Sequence, residues 1–376
     1  MGSQHIKLLI KATSSFLFAL LLWEVILRNL VESSPGIREH PLLGNIRKSG
    51  RLLHTREGMA RMQLNSLGMR HSEIQAKQPD EYRILVLGDS YTMATQIADR
   101  ETFTALTESI LMQTNLNSGR QIQVINAGKE GASPANYLYA GNFYNSKVQP
   151  DSVVVQLTPS DFSMQLSDPA EEFYLTTRSG QYRLVYNQSF GSSDPLASTL
   201  MGHFPQLEAL RQLSVLRVGG RQAQHFFAAT AQGIVPIARA DDTQTQPKKN
   251  LALSPEEKAL LDWTVQRFSQ TFPNLVFVYI PAINYQDYIS GRLADRTKLS
   301  ENAVRNLLIE EYLEEKAAAY QIPMVNMRSD FVAFYRDRKT VLQGFNNTQP
   351  GLGHLNAAGH ALVAEKLANF YTQAGL

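Results

Sequence analysis

Cysteine is absent from all 376 residues. That absence excludes disulfides, thiolate nucleophiles and Cys-based zinc sites together. Charge of one sign is also scarce: the formal net charge is +2, too little to attract nucleic acid. No Gly-x-Gly-x-x-Gly follows the first strand candidate, which argues against dinucleotide binding. His71-Ser72-Glu73 lacks the second His of a zinc motif. No metal and no organic cofactor are therefore expected.

Long apolar runs are scarce as well, and the one present is at the N-terminus. Leu8 to Leu27 is mostly aliphatic, with Lys11 and Glu24 near its ends. A bilayer core needs about 20 mostly apolar residues in a helix. Lys7 and Lys11 precede the run, which favours the N-terminus inside and the rest outside. No small-x-small cleavage site follows, so an uncleaved anchor over 1–32 is expected. A cleaved signal peptide and a soluble amphipathic helix are the alternatives.

Residues 33–80 read as a polar stalk or lead-in, with few periodic apolar runs. From 81 to 376 an α/β rhythm sets in. Strands are predicted at Arg83–Leu87, Gln121–Asn126, Ser152–Leu157, Leu275–Ile280 and Met324–Met327. They are short, apolar and β-branched, as parallel strands covered on both faces should be. Helices are predicted over Thr102–Gln113, after the capping box Ser254-Pro255-Glu256-Glu257, over Glu301–Tyr320, and from Ala357 behind the cap Asn356. This alternation predicts a doubly wound parallel sheet between two helical layers. An insertion at about 163–253 breaks the rhythm. It holds a predicted hairpin turning near Ser179-Gly180, a helical stretch near Leu207–Val218, and a polar segment.

Ligands of open parallel sheets bind beyond the carboxyl ends of the strands, so the residues found there matter most. Gly88-Asp89-Ser90 follows the first strand, Ala127 to Gly131 the second, and Thr158-Pro159-Ser160-Asp161 the third. Gly353-His354 precedes the terminal helix. A serine hydroxyl needs a base to take its proton, and His354 is the histidine placed to do so. Acyl transfer also builds charge on the carbonyl oxygen, which needs fixed donors. The N–H of Ser90 and of Gly131 are candidates. Each residue also has a plainer reading: Ser90 as a helix cap, Gly131 as a tight turn, Ser160-Asp161 as another cap, His354 as a surface residue.

Taken together, LGDS at 87–90, NAGKEG at 126–131 and HLNAAGH at 354–360 resemble the blocks of the SGNH hydrolases, the GDSL esterase/lipase family. The lead-in NSLGMR at 65–70 and the apolar N-terminus resemble its membrane-anchored bacterial branch. The resemblance implies a flavodoxin-like three-layer α/β/α sandwich. It also implies a nucleophilic Ser90, a base at His354 and an oxyanion donor at Gly131. Two positions depart from the pattern. Ser160 stands where the family has the donor Asn, and would donate through its hydroxyl. Gly351 and Leu352 stand where the family has the Asp that orients the histidine. The expectation is thus a Ser90–His354 dyad, with a backbone carbonyl, Asp330 or Asp337 as candidate orienting groups.

The expected activity is that of an esterase or deacylase on O-acyl groups of cell-envelope glycans or lipids. By the same resemblance the chain is expected at the bacterial inner membrane, with its domain on the periplasmic side. An acyltransferase using the same residues is one alternative. A non-catalytic glycan- or partner-binding protein is the other. The sequence does not specify an oligomeric state.

Overall fold

The structure is a computed structural model. It describes residues 2–30, 36–54, 57–114, 119–162, 164–178, 181–187, 190, 251–283 and 296–376. Five parallel strands form the central sheet: β5 (Glu81–Leu87), β6 (Gln121–Asn126), β7 (Ser152–Leu157), β10 (Leu275–Tyr279) and β11 (Met324–Asn326). Their spatial order is β11-β10-β7-β5-β6. With β5 as the first, this is the 2-1-3-4-5 order of flavodoxin-like folds read from the β6 edge.

The strands are apolar throughout because both faces are covered, and the period-2 alternation assigns each residue to a layer. Leu85, Leu87, Val153, Val155, Phe277 and Tyr279 face one way. They pack against α4 (Pro134–Val148), α5 (Pro255–Thr271) and α6 (Glu301–Ala319). Ile84, Val86, Val154, Val276 and Val278 face the other way. They meet α3 (Phe103–Thr114), α7 (Arg328–Arg338) and α8 (Ala357–Gln373). The predicted three-layer sandwich is therefore present. Helix α5 opens on the reciprocal Ser254/Glu257 capping box.

Residues 36–64 differ from the expected stalk. They form two antiparallel hairpins, β1 (Ile37–His40) with β2 (Gly44–Arg47), and β3 (Gly50–His54) with β4 (Ala60–Leu64). Leu43 and Ile46 pack on Ala140 of α4. Leu52, Met62 and Leu64 pack on Met93. A stalk would leave these side chains in water, whereas burying an aliphatic side chain is worth about 1.5–3 kcal/mol. In the insertion, the expected hairpin is present as β8 (Phe173–Arg178) and β9 (Gln181–Tyr186). Phe173 and Leu175 bury against Ala135 and Leu260. Its turn at Ser179-Gly180, the stretch Leu207–Val218 and the polar segment lie outside the described residues.

The N-terminal run forms α1 (Gly2–Leu30). Among the described residues, no helix is long and apolar enough to cross a membrane. Lys11, Thr13, Ser14 and Ser15 interrupt the apolar run with charge and hydroxyls.

Candidate active site

Strand β5 carries the chain to Ser90 at its carboxyl end. Asp89 bends the backbone there by accepting the Tyr91 N–H through Oδ1 at 2.9 Å. The helix that follows, α2 (Ser90–Met93), is a single turn closed by Ala94 in the left-handed region, φ 53°. One turn provides little dipole, so the helix N-terminus adds little attraction for an anion at Ser90. Buried Arg70, from the lead-in, holds the far side of this turn. It donates to Met93 O at 3.0 Å, to Ala94 O, and to Ile97 O at 2.6 Å.

His354 lies in the loop before α8, where Asn356 caps the helix by accepting the Gly359 N–H at 3.1 Å. Its Nε2 is 2.8 Å from Ser90 Oγ. Two side chains 264 positions apart are thereby brought within reach of one shared proton. The loop is fixed from several sides. Gly344 N donates to His354 O at 2.8 Å. Tyr91 donates its hydroxyl to Gly353 O at 3.1 Å and accepts from Gln343 Nε2 at 3.3 Å. The Tyr91 ring lies 5.3 Å from the imidazole.

The group that orients the histidine was not foreseen. Glu57, at the tip of the β3–β4 hairpin, places Oε2 2.5 Å from His354 Nδ1 and accepts the His354 N–H through Oε1 at 2.8 Å. This corrects the expected dyad to a Ser90–His354–Glu57 relay. Asp330 and Asp337 are engaged elsewhere, with Lys366 at 2.6 Å and Arg336 at 2.8 Å. Gly351 and Leu352 leave the usual carboxylate position empty, and the lead-in fills it from another direction. Gly353 makes room for that approach: its φ is +95°, and a Cβ there would stand 2.2 Å from Glu57 Oε1. No local signal marked Glu57, since a lone Glu-Gly in a loop is ordinary turn chemistry.

The electrostatics follow from this contact. Burial pulls the His354 pKa down, but the hydrogen bond and charge of Glu57, aided by Asp89 and Glu130, hold it above its ordinary value. Burial pushes Glu57 up, and the bonds to His354 more than offset this, so its pKa lies below the usual carboxylate range. Asp89 is raised to about 6 by burial, against the Tyr91 N–H and the His354 charge. Buried Asp161 is raised by desolvation and by Asp89, although Thr158 donates to it from N–H at 2.6 Å and hydroxyl at 2.9 Å. His360 is a core residue: it accepts the Phe103 N–H at 3.2 Å, and burial lowers its pKa to about 3.

The other predicted residues lie at the same edge without joining the relay. Gly131 is exposed in the loop between β6 and α4, with φ +70°. Ser160 is exposed beyond β7, its hydroxyl 2.7 Å from Thr158 Oγ1. Among the described residues, no hydrogen bond ties either to Ser90 or His354. An oxyanion donor has no such partner before its ligand arrives. A cavity of about 130 Å³ adjoins Met93, between the β1–β2 hairpin and the β6–α4 loop. Leu43, Ile46, Leu67 and Met69 line it, with Arg47 and Lys129 among its polar groups. Among the described residues, no group of acidic, His or Cys side chains is arranged to hold a metal ion.

Fold and site together have the three-layer architecture and strand-end block placement expected of an SGNH hydrolase. No protein-family model matches the chain, and no curated protein matches it in sequence. Solved structures that align with it include LAE5, an alpha/beta hydrolase from the metagenome of Lake Arreo, at 12% identity. That alignment covers 77% of this chain and 94% of that one, with a TM-score of 0.40. The acetyl xylan esterase AlAXEase aligns at 13% identity over 77% and 98% of the two chains, TM-score 0.37. The lipase/acylhydrolase from Enterococcus faecalis aligns at 14% over 78% and 96%, TM-score 0.36. Likeness at these values carries no weight for function, which rests on the geometry of Ser90, His354 and Glu57.

Proposed function

We propose that the chain is a serine ester hydrolase that removes O-acyl groups from glycans or lipids of the cell envelope. The observation that carries this reading is the continuous relay from Ser90 Oγ through the His354 ring to Glu57. The neutral imidazole accepts the Ser90 proton at Nε2 as Oγ attacks the ester carbonyl. The imidazolium is stabilised by the Glu57 carboxylate at Nδ1, which also fixes the tautomer. The tetrahedral oxyanion is held by the N–H of Ser90 and Gly131 and by the Ser160 hydroxyl. His354 returns the proton to the leaving alkoxide, and the acyl group stays on Ser90. Water then attacks this ester with His354 taking its proton. Collapse frees the carboxylate and regenerates the Ser90 hydroxyl.

The substrate class rests on the resemblance of the sequence blocks. Membrane attachment through α1 is part of the proposal, with the domain on the periplasmic side. The attachment is supported by the exposure of Phe16, Leu17, Phe18, Leu21, Leu22 and Trp23, each 49–68% accessible, and the side rests on Lys7 and Lys11, which precede the run. Flotation of the full chain with liposomes, and its loss when residues 2–30 are removed, tests that part.

The activity is tested with a series of p-nitrophenyl esters and acetylated glycans. Turnover is expected in the wild type and not in Ser90→Ala. Equal turnover in the two proteins would refute the reading. Acyl transfer to an added glycan in place of acid release would redirect it to a transferase.

A further inference from the structure

The carboxylate of this relay comes from a hairpin outside the sheet that carries Ser90 and His354, so something must hold the hairpin tip in register. One side chain does so with both of its polar atoms. Asn347 accepts the Gly58 N–H through Oδ1 at 2.8 Å and donates from Nδ2 to Gly58 O at 2.9 Å. Asn347 lies in the same loop as His354, between Gly344 and Gly353. The residue it grips is the immediate neighbour of Glu57. Asn347 is exposed. Gly58 is buried, so the two bonds also satisfy both of its backbone polar groups. The paired hydrogen bonds thereby register two loops that share no strand.

The receiving surface is shaped for this one docking. Gly58 has φ +70°, and a Cβ on it would stand 2.4 Å from Gln96 O and 3.0 Å from the Phe345 ring. The tip is thus pressed between the Ser90 side of the site and the Asn347 loop, leaving little space for it to shift. A displacement of about 1 Å in a catalytic group can cost roughly 10²-fold in rate.

We propose that Asn347 is a positioning residue for the reaction. It locks the β3–β4 hairpin tip onto the histidine loop, so that Glu57 holds His354 in its working tautomer and orientation. This rests on the ester-hydrolase reading and extends it to how the site is assembled. Asn347 touches neither Ser90 nor the reacting atoms; it acts through Glu57.

The experiment is a double-mutant cycle on the full chain with a short-chain p-nitrophenyl ester, measuring kcat, KM and the pH profile of kcat/KM. Asn347→Ala is expected to lower kcat by about 10- to 100-fold with KM changed by less than about threefold. Its acid limb should move to lower pH, because a loosened Glu57 supports the imidazolium less. Asn347→Gln, which keeps the amide but displaces it by one methylene, is the second variant and is expected to show the same pattern. In a Glu57→Gln background, Asn347→Ala should add little, since residues acting through one another are not additive. Wild-type kcat and pH profile in both Asn347 variants would overturn the proposal, as would full additivity with Glu57→Gln. The Ser90→Ala control separates this from failure of the parent reading. If Ser90→Ala is inactive and the Asn347 variants match wild type, only the lock is wrong.

Discussion

Ser90 stands at the end of a strand buried on both faces, whereas Glu57 stands at the tip of a two-stranded hairpin laid against the rim. β5 is paired on both sides, with β6 and β7, and Leu85, Val86 and Leu87 are fully buried. Among the described residues the β3–β4 hairpin is paired only with itself, and it reaches the core through Leu52, Met62 and Leu64. The proposed nucleophile is thus placed by a fully buried strand paired on both sides, and the group that orients its proposed base by a lighter appendage. The chemistry permits this division. Attack needs Ser90 and His354 in fixed register, but the carboxylate need only reach Nδ1 from any side. The lead-in therefore joins the proposed catalytic machinery without sharing a strand with the sheet.

Four experiments sharpen or break that contrast. The largest effect belongs to the sheet-borne nucleophile: Ser90→Ala should lower kcat on the order of 10⁶-fold, read by ester turnover with the melting temperature unchanged. Next is the hairpin-borne acid. Glu57→Gln should cost about 10⁴-fold, and it should move the acid limb. Glu57 raises the His354 pKa, and the base works only when neutral. The wild-type limb therefore lies above the ordinary histidine value, and the variant limb lies lower. An unmoved limb would mean that Glu57 is only a structural neighbour. Ser160→Ala should cost about 10²-fold in kcat if its hydroxyl supports the oxyanion; wild-type rates would remove it from the site. The smallest effect is on protection rather than rate. Amides of β3 and β4 should exchange with solvent at lower opening free energy than those of β5 and β7, and equal protection would dissolve the distinction between the two regions.

The same contrast explains what could be read from sequence. RILVL, SVVVQL and LVFVY announce themselves because strands covered on both faces must be continuously apolar. Ser90 stands out because it follows such a strand, and His354 because it precedes the capped terminal helix. Helix α4 was missed: Asn, Gly and Tyr make PANYLYAGNFYNSKV a poor helix former on propensity. It forms because Pro134 begins it, Ser133 and Asn136 pair at its start, and Tyr137 and Leu138 bury against the sheet. Residues 60–64 do carry a period-2 signal, with Ala60, Met62 and Leu64 buried and Arg61 and Gln63 exposed. Five residues amid polar neighbours are too short a run to separate from loop. Glu57 had no signal, because its role depends on where a hairpin docks and not on what surrounds it in the chain.

The central claim is that Ser90, His354 and Glu57 act as one unit, with His354 as the base and Glu57 as the carboxylate that orients and stabilises it. Its most direct measurement is the rate at which a fluorophosphonate labels Ser90, followed against pH in the wild type and in Glu57→Gln. Stoichiometric labelling at Ser90 is predicted, rising through a His354 pKa above the ordinary histidine value. In the variant it should be slower, with its midpoint at lower pH. No labelling of Ser90, or identical rates and midpoints in the two proteins, would contradict it.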